Sequence, residues 1–82
     1  MRTIYKFTIV ENQVIMPIGA VILDVAEQNG LLRVWCEVDS EQKEVKIRTI
    51  VLVGTGQRIP TNGEHIKTIH MPHEVWHVYE VV

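Results

Sequence analysis

The sequence predicts an all-β protein, a single compact β-sandwich or barrel-like domain of about seven antiparallel strands spanning residues 1–82. Three observations predict it. Helical periodicity is nearly absent. Short runs rich in Val, Ile and Thr alternate with period two, as strands with one buried face do. These runs are bounded by Gly, Pro, Asn and Asp, and Asn29-Gly30 between two apolar runs is a strong hairpin signal.

The first strand is read from Tyr5, Phe7 and Ile9 alternating with Ile4, Lys6 and Thr8. Glu11-Asn12-Gln13 is a polar turn. Val14-Ile15-Met16 is a short second strand, interrupted at Pro17 because proline cannot donate to a ladder. Gly19 opens a third strand, Ala20 to Ala26, apolar on both faces except for Asp24. Asn29-Gly30 turns it into Leu32 to Val38. There Leu32, Val34, Cys36 and Val38 share one face, and Arg33, Trp35 and Glu37 share the other.

After the charged loop Asp39 to Lys43 comes the longest apolar strand. Val45, Ile47, Thr49, Val51 and Val53 lie on one side of it, and Lys46, Arg48, Ile50 and Leu52 on the other. Gly54-Thr55-Gly56 stops it. A loop over Ile59 to Glu64 leads to a strand from His65 to His70, a turn at Met71 to Glu74, and a last strand from Val75 to Val82.

With 82 residues there is room for one domain. A chain of that length buries roughly 60–65% of the surface its unfolded form exposes, so its core is marginal without a supplement. Cys36 is the only cysteine, which rules out an internal disulfide and suits a reducing compartment. Self-association is the expected supplement. A net charge of −2 offers no footprint for duplex nucleic acid or an anionic membrane. No apolar run approaches the ~18 residues of a membrane span, and the first residues lack a signal-peptide pattern. The expected setting is cytoplasmic.

Several fragments in fixed order carry a resemblance. Ile4-Tyr5-Lys6-Phe7 leads to Met16-Pro17 and Gly19 to Leu23. Gln28, Gly30 and Leu32 precede Trp35, Val38 and Asp39. Arg48 precedes Val53-Gly54-Thr55-Gly56, Ile66 and Thr68 follow, and Val75-Trp76-His77-Val78 ends near Glu80. Over its whole length the chain resembles a family of small proteins of phages and prophages. That resemblance implies a compact β fold and a host cytoplasm as the place of action. It implies no known activity. Two positions depart from the family pattern: Gln57 stands where a histidine usually follows Gly-Thr-Gly, and His65-Ile66-Lys67-Thr68 stands where Tyr-Ile-Gly-Thr is usual.

The candidate ligand-binding residues are Trp35, Arg48, Gly54, Thr55, Gly56, Gln57, Arg58 and Lys67. Two glycines two apart let backbone amides approach an anion, and Thr55 adds a hydroxyl. The turn lacks the third glycine of a dinucleotide fingerprint and the lysine of a P-loop, so it also reads as a plain strand exit. Arg48, on an otherwise apolar strand, needs a partner. It either forks onto a ligand phosphate or carboxylate, or pairs with Glu37 or Glu80 on a neighbouring strand. Trp35, on a polar face beside Arg33, stacks on a ligand ring, or both Trp35 and Trp76 anchor a core or subunit interface. His65, His70, His73 and His77 form a cluster, the last three spanning a turn, but no cysteine or carboxylate keeps a metal-ligand spacing with them, and no metal or cofactor is expected. Ser40 has no adjacent histidine, Cys36 faces a core, and no carboxylate pair is placed for acid–base work.

The expectation is therefore a non-enzymatic protein that assembles with copies of itself. It would capture a small anionic ligand between subunits, such as a nucleotide immune signal of the host (a cyclic nucleotide, for example). A structural or protein-interaction role is the alternative, with a small hydrolase third.

Overall fold

A computed structural model describes residues 1–82. It contains seven strands and no helix: β1 (Arg2–Thr8), β2 (Gln13–Pro17), β3 (Val21–Gln28), β4 (Leu31–Asp39), β5 (Val45–Gly54), β6 (Gly63–His70) and β7 (Val75–Val81). They form two sheets, in order β1-β4-β3 and β2-β5-β7-β6, with every pairing antiparallel. Of the two architectures open to the sequence, this is the sandwich. Its shortest dimension, 18 Å, suits two sheets with side chains between and outside them.

Turn chemistry sets the two tight hairpins. Asn29 and Gly30 have φ of 56° and 80°, the positive pair a two-residue type I′ turn requires, and they join Gln28 to Leu31 in register. Glu11 and Asn12, at 51° and 66°, do the same between Val10 and Gln13 and carry the chain from one sheet to the other. β2 ends at Pro17, on a sheet edge where a missing N–H costs no ladder bond.

Alternation decides which faces meet. Val34, Cys36 and Val38 of β4, Val14 and Met16 of β2, Ile50 of β5 and Val78 of β7 are fully buried, with Ala20 and Val25, in one cluster. The inner face of β5 is thus the one carrying Arg48, Ile50 and Leu52. Only ten residues of the chain are buried, a small core in which each side chain matters.

The link between β5 and β6 positions the site. Both strands run antiparallel to β7, which lies between them, so they point the same way. Residues 55–62 must therefore return along the whole length of β7. They cross its outer face: Gln57 and Ile59 line a common cleft with Val53, His77 and Tyr79, and Pro60 approaches Gly63 and Tyr79. This strap explains why Val53, on the outer face, is only 6% exposed yet stands outside the core cluster.

Candidate functional site

The cleft between strap and sheet encloses about 200 Å³. Its rim is the turn at residues 54–57. The Gln57 amide donates to the Gly54 carbonyl at 3.0 Å, and Gly56 has φ of 90°, the positive value a type II turn needs at its third position. Gln57 folds back so that its Oε1 accepts from the Gly54 amide at 2.8 Å. A Cβ on residue 54 would meet that side chain at 3.2 Å. Each glycine thus has its own reason: one admits the glutamine, the other the backbone angle. The amides of Thr55 and Gly56 make no hydrogen bond within the chain.

Beneath the turn runs a line of side-chain hydrogen bonds across three elements. Thr55 Oγ1 lies 2.9 Å from His77 Nε2, His77 Nδ1 lies 3.0 Å from Thr68 Oγ1, and Thr68 Oγ1 lies 3.0 Å from His65 Nε2. Tyr79 packs edge-on against His65, with ring centroids 5.3 Å apart. The Thr68 hydroxyl has one hydrogen, so it donates to one imidazole and accepts from the other. Two directions satisfy every member: the donors run from Thr55 to His65, or from His65 to Thr55. A protonated His77 also fits, since both threonine oxygens accept.

The register explains how the line forms. His77 sits opposite Thr68 and Val53, and Tyr79 sits opposite His65 and Val51. A bulge at Ile66 brings His65 and Thr68 onto the same outer face, although an unbroken strand would send them to opposite sides. No Asp, Glu, Lys or Arg occupies an outward position on β2, β5, β7 or β6.

Of the residues singled out from the sequence, Gly54, Thr55, Gly56 and Gln57 come together here, and Arg58 lies exposed in the strap. The other three are elsewhere. Arg48 is held between the sheets: its Nε and Nη2 donate to Glu80 Oε2 and Oε1 at 2.5 and 2.7 Å, and its Nη1 donates to the Ala20 carbonyl at 2.6 Å. Both side chains are largely buried, and the hydrogen bonds that the guanidinium donates to Glu80 raise the arginine pKa against the pull of burial. Of the two readings open for Arg48, the structure selects the ion pair, and the guanidinium is not presented to the cleft.

Lys67, expected as a ligand-binding residue, instead reaches across the open side of the sandwich, where the edge strands β6 and β3 come together. The Ile66 bulge turns it inward, and its Nζ donates to Asp24 Oδ1 at 2.5 Å, joining β6 to β3. That bond holds the Asp24 carboxyl below its ordinary range. Trp35 lies on the outer face of the three-stranded sheet, between Lys6 and Asp24 in register, and so on the far side of the molecule from the cleft. Cys36 is fully buried against Met16, and desolvation pushes its thiol pKa up.

The sequence reading missed His77, Thr68, His65 and Tyr79. It grouped the histidines as a metal question, yet no three metal-ligating side chains converge. The signal that finds His77 is register: counting back from the turn at 71–74 sets it opposite Thr68.

The family described as Domain of unknown function (DUF7352) matches residues 1–82, and the chain belongs to it. No curated protein and no solved structure matches the chain.

Proposed function

We propose that this member of the DUF7352 family is a non-enzymatic binding protein that assembles with copies of itself and holds a small anionic ligand in the cleft beneath the strap. One observation carries the reading. The free amides of Thr55 and Gly56 and the Thr55 hydroxyl stand at the rim of a concave site, on a sheet face with no carboxylate to repel an anion. The cleft, at about 200 Å³, is smaller than the usual ~300–1,000 Å³ of a whole-ligand pocket. It suits one phosphate-sized group, with the rest of a nucleotide resting on Tyr79, Ile59 or a second copy. Arg58, exposed in the strap, is free to meet that outer part.

Self-association is supported by the small core and by Ile15, Val45 and Ile47, which stand 57–60% exposed side by side on β2 and β5. Resemblance to phage proteins supplies the use: holding a nucleotide immune signal away from its receptor in the host cytoplasm. Binding is favoured over hydrolysis because the second nitrogen of His77 faces a neutral threonine hydroxyl. A general base working on Thr55 would need a carboxylate there to stabilise its imidazolium.

Isothermal titration with cyclic dinucleotides, cyclic trinucleotides and ADP-ribose derivatives tests the reading. Saturable heat with one of them, abolished in Thr55→Val, is expected; silence from all three classes removes it. The exposed β2–β5 stripe also favours a second reading, a protein-interaction role. A chain that sediments as a single subunit and is captured with one stoichiometric protein partner would favour that instead.

A further inference from the structure

A second cavity lies at the same end of the molecule, between the sheets. Trp76, opposite Gly54 in register, shares the inner face of the sheet with Leu52 and Ile69. The tips of two hairpins meet here, β3–β4 from one sheet and β6–β7 from the other, and they leave about 260 Å³ between them. Leu32, Leu52, Ile69 and Trp76 wall the space, and Glu27 and Glu74 stand at its rim. The register pairs Glu27–Leu32 and Ile69–Trp76 frame it from opposite sheets.

Its chemistry differs from that of the strap cleft. The walls are apolar and no lysine or arginine lines them. Glu27 spends one oxygen on the Gly30 amide at 2.7 Å, and Glu74 makes no hydrogen bond through its side chain. Neither carboxylate is in an ion pair. An apolar hollow with two uncompensated carboxylates and an indole wall attracts an apolar group that carries positive charge beside it. The volume, just under the ~300 Å³ at which whole small-molecule sites begin, matches a single large side chain.

We propose that this hollow is a docking site for a partner polypeptide that inserts one large apolar side chain flanked by lysine or arginine. The apolar anchor fills the space against Leu52, Ile69 and Trp76, and the flanking cation meets Glu74 and the free oxygen of Glu27. This goes beyond the anion reading and stands independently of it, because it uses the opposite faces of β5 and β7.

The test uses the full chain carrying Trp35→Phe, which leaves Trp76 as the only indole. Its emission is followed against three acetylated, amidated pentapeptides: Gly-Lys-Leu-Lys-Gly, Gly-Glu-Leu-Glu-Gly and Gly-Lys-Ala-Lys-Gly. The first is expected to saturate the signal, and the other two to bind about tenfold more weakly or not at all. Glu74→Gln combined with Glu27→Gln should remove the preference for lysine over glutamate while leaving the circular dichroism spectrum unchanged. Equal affinity for the acidic peptide, or no response to the basic one at millimolar concentration, overturns the proposal. Butylammonium binding as tightly as the basic peptide also overturns it, since that is a small-amine site.

Discussion

Two polar networks divide this small protein, and they differ in what surrounds them. Arg48 and Glu80 form a charged pair between the sheets, with side chains 15% and 12% exposed and the guanidinium held further by the Ala20 carbonyl. Thr55, His77, Thr68 and His65 form a line of hydroxyls and imidazoles on the outer face, partly roofed by the strap. The first lies where water is excluded, so its strength concerns stability. The second lies where a ligand can reach, so on the proposed reading its contribution concerns recognition. An arginine on an apolar strand reads from sequence as a functional oddity, yet burial made it structural. A threonine between two glycines reads as a strand exit, and the return of the chain across β7 made it a rim.

The contrast breaks first at Arg48. Truncating Arg48→Ala leaves Glu80 charged and without its partner, which should cost about 3–5 kcal/mol. The whole domain has on the order of 4–12 kcal/mol to lose, so urea melts should show most of its stability gone. Replacing both partners with apolar residues, Arg48→Met with Glu80→Leu, should recover stability to within about 1 kcal/mol of the parent. If the double variant melts as early as the single, the pair organises more than its own site.

The outer network should respond the opposite way. His77→Ala removes two hydrogen bonds between partly exposed groups, so a loss of only about 1 kcal/mol is expected, alongside loss of anion heat in calorimetry. A large stability loss with unchanged binding would reverse the assignment of roles.

The smallest effect concerns the ion pair at the open side of the sandwich. Lys67 holds the folded pKa of Asp24 below its unfolded value. The unfolded chain therefore binds the proton first, and the contribution is present above the unfolded carboxylate value and lost as pH falls through the folded one. Both groups are more than a third exposed, so the term is below about 1 kcal/mol. Acid melts of Lys67→Met should differ from the parent at neutral pH and converge with it in strong acid. A gap that widens in acid would mean that Asp24 is held by something else.

Much of the fold was legible because it rests on local rules. Apolar runs bounded by turn residues marked all seven strands, with period-two alternation in β1, β4 and β5, and positive φ at Asn29 and Gly30 was foreseeable from residue type. The turn at 54–57 was legible as a turn and as a candidate rim. Its partners were not, because the sequence holds no mark of which strands neighbour one another. The Ile66 bulge, which turns Lys67 inward and sets His65 beside Thr68, breaks the alternation on which the reading of that strand depended.

By itself the sequence determined the strands, the hairpin turns, the want of an internal disulfide and the glycine positions, since each depends on residues a few places apart. Only the tertiary structure decided that β7 lies between β5 and β6, that residues 55–62 must cross it, and that His77 therefore lies under Thr55. Those outcomes depend on strand order, which arises from packing two sheets over one core and is carried by no local stretch of chain.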